Sequence, residues 1–385
     1  MHPAYDLQSY VFYGSLVEPS GKTNTFSFMM QQSNRVVAEL PSLSFAVEGV
    51  MFNGDDGFVV GGLQGVPELT IPLSLTARPW SARAELFRLG RQPQFIDARV
   101  VDGRMGEVGA VYEFTSKVTG RNVDTNATSP FSVYVRVKDL TGIVQWGYGP
   151  SGFFPQWIYP AQRNAIMRDG GSVEEYLARS EDPMKGQGDY YYSSPLLEVQ
   201  KFVVTSSSGR VSRGHEGTIW FDTVTQSYGE NAKAIVDNGV QWLEFSLQLP
   251  GTRQALKIGR VSQSSVGSLP YAMMMDGDGP KVRNGAIVPS SRWDIGDIAI
   301  TPVKSSVWTS PKTGEKYYMR YHVILKDQDP SRSADLTVTA RFDNQEVVLG
   351  TSRTVYEGLF DFTGTINGNH VDGTGWGEIQ PASSL

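Results

Sequence analysis

Hydrophobic alternation with a period of two, broken at short intervals by turn residues, limits this chain's fold more than any other feature. Tyr10-Val11-Phe12-Tyr13, Thr25-Phe26-Ser27-Phe28-Met29-Met30, Leu69-Thr70-Ile71-Pro72-Leu73-Ser74-Leu75 and Phe131-Ser132-Val133-Tyr134-Val135-Arg136-Val137 alternate or run apolar. Pro19-Ser20-Gly21-Lys22, Asn53-Gly54-Asp55-Asp56-Gly57 and Val101-Asp102-Gly103-Arg104 separate such runs. The 41 Gly and 21 Pro of the 385 residues recur at intervals suited to strands of about six to ten residues. Many strands joined by short turns predict an all-β sandwich or barrel.

Helical signals are confined to one region. Ser172-Val173-Glu174-Glu175 opens a helix to Arg179 with a Ser-x-x-Glu capping box, and a weaker helix is expected over 160–168. Both fall in a Gly/Pro/aromatic connection over 148–188, long enough to serve as a lid or binding loop. The polar stretch Ser227-Tyr228-Gly229-Glu230-Asn231-Ala232-Lys233 is the best boundary. The expected organisation is two antiparallel β domains, 1–233 carrying the loop/helix insertion 148–188, and 234–385.

Composition excludes several classes. A net charge of −6 with no basic cluster argues against nucleic acid. The absence of cysteine removes disulfides, thiolate metal sites and cysteine nucleophiles, and the four His lack zinc-site spacing. No apolar run reaches the length of a membrane span. With no P-loop and no G-x-S-x-G elbow, the expectation is no cofactor and no metal. The N-terminus shows no signal-peptide pattern, so a cytoplasmic location is expected for the chain as given, secreted or periplasmic if a leader has been removed. Oligomeric state is not readable.

The chemistry centres on Gly217-Thr218-Ile219-Trp220-Phe221-Asp222, read as a strand closed by an acid beside two aromatics. A carboxyl desolvated by such a wall holds its proton more tightly, as a general acid must, and aromatic faces stabilise a cation. The plainer reading is a strand-end Asp capping a turn through Thr223 or Thr225. His215 could orient Asp222 if the chain bends at Gly217, and otherwise is a solvated loop residue. Tyr190 and Tyr192 share one strand face and could place a polar substrate atom or simply pack. Trp242 and Glu244 are likewise same-face neighbours, with Glu244 read as part of an exposed strand face in preference to a second pocket carboxylate. Tyr271 and Met273, in the run Pro270-Tyr271-Ala272-Met273-Met274-Met275, could form a lipophilic wall or simply core. Asp276-Gly277-Asp278-Gly279 reads as a turn, lacking the full calcium-loop pattern.

The order of motifs resembles the AttH/CrtC-type lipocalin-like family, which includes carotenoid 1,2-hydratase and kievitone hydratase, and more distantly the fungal lipocalin-like Diels–Alderases. The matching segments are Ser9-Tyr10-Val11-Phe12-Tyr13-Gly14, Asp189-Tyr190-Tyr191-Tyr192-Ser193-Ser194-Pro195, the Trp220-x-Asp222 strand, Trp308-Thr309-Ser310-Pro311-Lys312-Thr313-Gly314, and Tyr356-Glu357-Gly358 with Gly373-Thr374-Gly375-Trp376-Gly377-Glu378. Departures are Tyr10 and Phe12 in place of paired tryptophans, and Thr223 where the hydratases tend to carry His. The resemblance implies two lipocalin-like β-barrels with a lipophilic pocket, and a proton donor at Asp222. The expected function is cofactor-free conversion of an isoprenoid, polyene or polyketide-type metabolite by hydration, dehydration, isomerisation or cyclisation. Tyr192, Trp220 and Trp242 would shape the pocket. The alternatives are a non-catalytic lipophile carrier and a pericyclase acting by substrate shaping.

Overall fold

The structure, a computed structural model, describes residues 7–33, 46–54, 57–64, 74–77, 79–86, 93–122, 124–147, 153–154, 188–206, 208–227, 240–263, 267–283, 285–327, 332–349 and 353–382. The expected helices over 160–168 and 172–179, and most of the 148–188 connection, lie outside these residues. The strands up to the middle of the chain are β1 Leu7–Val17, β2 Thr23–Ser33, β3 Ala46–Gly54, β4 Gly57–Gln64, β5 Ser74–Ala77, β6 Trp80–Leu86, β7 Gln94–Asp102, β8 Val111–Asn122 and β9 Thr128–Asp139. They continue with β10 Val144–Gln145, β11 Phe153–Phe154, β12 Gly188–Thr205, β13 Val211–Gly214 and β14 Glu216–Ser227. Then come β15 Val240–Gln248, β16 Gln254–Gln263, β17 Gly267–Asp276, β18 Lys281–Arg283, β19 Ala286–Val288, β20 Ser291–Arg292 and β21 Ile298–Pro302. The last are β22 Val307–Thr309, β23 Lys316–Tyr318, β24 Arg320–Leu325, β25 Ala334–Ala340, β26 Glu346–Leu349, β27 Arg353–Ile366 and β28 Asn369–Ile379. The described residues are β throughout apart from turns, loops and a 3-10 turn at Ile295–Asp297, as the alternation predicts.

The chain divides into two compact units, Met1–Ile143 with Tyr192–Gln226, and Val144–Tyr191 with Ser227–Leu385. The first change of unit thus falls ahead of the 148–188 insertion, which groups with the second unit. The last falls at 226/227, at the start of the polar stretch that the sequence marks as a boundary.

In the first unit the hydrogen bonding closes on itself. β12, β14, β1, β2, β3 and β4 follow one another, β4 pairs the end of β8, and β9 joins β8 back to β12. Closure leaves no edge in this ring, while β7, β6 and β5 extend from the other end of β8. Phe12 stacks on Phe221 at 4.2 Å between centroids, and Phe28, Tyr112 and Phe114 pack around the pair.

The second unit is a curled antiparallel sheet in the order β20-β17-β16-β15-β28-β27-β25-β24-β21. Its core holds Phe245, Leu256, Ile258, Tyr321, Tyr356 and Phe360. The β27–β28 hairpin turns on Asn367 and Gly368, whose φ angles of 55° and 75° are both positive. An Asn-Gly pair adopts this conformation at little cost, and it locks the register of everything above it. From Ile366 opposite Asn369 the pairing runs unbroken to Tyr356 opposite Ile379.

The Trp308–Gly314 motif is a structural pin. Ser310 Oγ and Thr313 Oγ1 donate to the Glu346 carboxylate at 2.6 and 2.7 Å, and the Tyr317 phenol donates at 2.8 Å. Ser310 Oγ also accepts from the backbone N–H groups of Lys312 and Thr313 at 3.2 Å, which fixes the turn. Asp276 likewise accepts from the backbone of Asp278 and Gly279, an ordinary Asx turn.

Candidate functional site

Asp222 sits in the middle of β14, not at its end, so the turn-capping role considered above does not apply. Pairing with β1 sets Val11 opposite Asp222, Phe12 opposite Phe221 and Tyr13 opposite Trp220. Because side chains alternate, Phe12 and Phe221 enter the core while Tyr13, Trp220 and Asp222 share the opposite face. The aromatic neighbours of the acid are therefore Trp220 and Tyr13. Phe221, expected at the same wall, points the other way.

The carboxyl is 3% exposed and well furnished with donors. Trp220 Nε1–H donates to Oδ1 at 2.7 Å, two residues back along the same strand. Ser193 Oγ donates to Oδ1 from β12, and the Tyr13 phenol donates to Oδ2 from β1. Ser193, Tyr13 and Trp220 are themselves buried. Neighbouring strands on both sides and the acid's own strand thus hold one carboxyl in a single orientation, as a preorganised proton donor or acceptor requires.

His215 does not join this group. It lies just ahead of β14 with a side chain 73% exposed, 3.9 Å from Glu216. Tyr192, next to Ser193, is half-buried. Tyr190 is half-buried and pairs across the ladder with Phe153.

In the second unit a polar row crosses the sheet on the face opposite its core. Glu244 on β15 lies opposite Glu378 on β28, which lies opposite Glu357 on β27. On its other side Glu244 is opposite Gly259 on β16, which is opposite Tyr271 on β17. A side chain at Gly259 would collide with the Tyr271 ring. Only the bare glycine lets the phenol lie across β16 and donate to Glu244 Oε2.

Lys257, 1% exposed, donates to Glu244 Oε1 at 2.6 Å and to Ser246 Oγ at 3.1 Å. Its ammonium stands 4.6 Å from the centroid of the Tyr191 ring, whose phenol donates to Glu244 Oε1 at 3.1 Å. Trp242 Nε1–H donates to Glu378 Oε2 at 2.7 Å. Met273 is buried on the same face, its sulfur 2.8 Å from Arg292 Nη1.

Burial pushes Glu357 up to about 7. Burial, then the neighbouring carboxyls of Glu357 and Glu244, hold Glu378 well above the usual carboxylate range, while Lys257 and the Trp242 N–H pull it down. Of the sequence-selected residues, the structure joins Asp222 to Trp220, Glu244 to Tyr271, and Trp242 to the row through Glu378. Tyr13, Ser193, Lys257, Tyr191, Glu357 and Glu378 escaped selection. Among the described residues no group of three or more His, Cys, Asp or Glu is arranged to hold a metal ion, and no helix is long and apolar enough to cross a membrane.

No family model matches the chain, and no curated protein sequence does. Solved structures do match over nearly its whole length. An AttH-type protein from Nitrosomonas europaea superposes with a TM-score of 0.55 at 15% identity, covering 99% of this chain and 94% of that one. Kievitone hydratase from Nectria haematococca gives 0.56 at 12% identity, covering 97% and 89%. CghA gives 0.52 at 9% identity, covering 99% and 89%. The chain therefore has the fold of the AttH- and kievitone hydratase-type lipocalin-like proteins.

Proposed function

We propose that the protein is a cofactor-free enzyme acting on a lipophilic small molecule of isoprenoid, polyene or polyketide type, with Asp222 as its proton donor. The observation that carries this reading is a buried carboxyl held by a phenol, a hydroxyl and an indole on a face the core does not use. The fold shared with kievitone hydratase supports it.

The protonated Asp222 carboxyl transfers its proton to one carbon of a substrate alkene, whose π pair forms the new C–H bond. The neighbouring carbon becomes a cation, which the face of Trp220 can stabilise. In a hydration, water adds through a lone pair and returns a proton to the Asp222 carboxylate, so the acid is regenerated. Run backwards, the same steps dehydrate an alcohol. Loss of a different proton to the Asp222 carboxylate isomerises the alkene. Attack by an internal alkene forms a C–C bond, closes a ring and moves the cation, which loses a proton to the same carboxylate.

Protein purified from its source, analysed by native mass spectrometry with solvent extraction, tests the substrate class. A co-purifying hydrophobe that the wild type converts supports the enzyme. Tight binding without conversion, unchanged by Asp222→Asn, would make the protein a carrier.

A further inference from the structure

Glu357 and Glu378 face each other across the β27–β28 hairpin, in a register that the Asn367-Gly368 turn imposes. Directly opposed residues of an antiparallel pair bring their Cβ atoms within about 5 Å, so two glutamate carboxyls at such positions can meet. Like charges there destabilise the ladder unless a proton lies between them.

The surrounding groups supply little compensation. On β15, Glu244 adds a third carboxyl beyond Glu378, and its charge is matched by Lys257 on β16 and by the phenols of Tyr271 and Tyr191. Trp242 gives Glu378 one neutral donor. On the other side of β27, Gln345 is neutral, and Glu346 is taken up by Ser310, Thr313 and Tyr317. Further along β27, Asp361 is paired with Arg341. Among the described residues none donates a hydrogen bond to the Glu357 carboxyl.

We propose that Glu357 and Glu378 share a proton as an O–H···O pair, making a pH-sensitive clasp between β27 and β28. The clasp is closed while the pair holds at least one proton. Ionisation of both carboxyls sets two like charges side by side and strains the hairpin at the point where it meets β15. Burial raises both groups in the folded protein, and the Glu357 and Glu244 carboxyls raise Glu378 further, so the folded protein binds these protons more tightly than the unfolded chain. The sign follows: stability falls as pH rises from the ordinary glutamate range, about 4.3, through the folded value of Glu357 near 7, and goes on falling until Glu378, which the Glu357 charge holds up, also ionises and the clasp opens. This device is independent of the role given to Asp222.

Infrared spectroscopy of the full chain with labelled glutamate tests it between about pH 5 and 9. The wild type is expected to show a protonated glutamate carbonyl band near neutrality that fades as pH rises. Glu357→Gln with Glu378→Gln should abolish the band, and Asp222→Asn should leave it in place. In urea unfolding, the single variant Glu357→Gln, which mimics the protonated acid, should flatten the fall in stability over this window. No protonated glutamate band in the wild type at neutral pH, or a wild-type pH slope retained in Glu357→Gln, would overturn the proposal.

Discussion

Asp222 and Glu244 are both strand carboxyls withdrawn from solvent on the face opposite a hydrophobic core, yet they are held differently. The donors named at Asp222 are neutral: a phenol, a hydroxyl and an indole. Glu244 has two phenols and a buried ammonium, and stands in a row with two further glutamates. Neutral donors fix the direction of a carboxyl and satisfy its oxygens without setting a counter-charge beside it. An ammonium sets one there, and removing either partner then strands the other inside the protein. Under the proposed function, proton transfer to substrate falls to Asp222, and charge balance to the row.

The largest expected effect breaks the row. Lys257→Met should lower unfolding free energy by about 3–5 kcal/mol, since Glu244 would stay beside two other carboxyls without its cation. Chemical denaturation measures this. A control comes from Glu346, a third buried carboxyl with three donors but an evident structural duty at the Ser310 turn. Glu346→Gln should cost about 1–3 kcal/mol and leave turnover unchanged, which would separate donor count from catalysis. Gly259→Ala should cost a comparable amount, about 1–3 kcal/mol, by forcing the Tyr271 ring off Glu244. A shift in Tyr271 side-chain resonances would report the displacement. Smallest is Ser193→Ala, expected to cost about 1 kcal/mol in denaturation. Its effect on turnover should exceed its effect on stability if aiming Asp222 is what Ser193 does.

The fold was legible because period-two alternation survives any strand order. Trp220-Phe221-Asp222 also held more than was read from it: alternation alone puts Phe221 opposite the acid and leaves Trp220 beside it. The clasp was within reach too, since counting back from Asn367-Gly368 sets Glu357 against Glu378. Tyr13 and Ser193 were not. They approach Asp222 from 209 and 29 residues away in sequence, through strand order and register that no local pattern specifies. Lys257 was hidden for a related reason, because a lysine alternating with Leu256 and Ile258 reads as a solvent-facing residue, whereas here it lies buried against Tyr191, Glu244 and Ser246.

The most direct test of the central claim is the single-turnover rate of the co-purified lipophile with wild type and with Asp222→Asn. The account predicts a loss of about 10²–10⁴-fold in the chemical step, with the fold intact and binding largely kept. Equal rates would contradict it, and would assign to Asp222 no more than the structural duty that Glu346 performs.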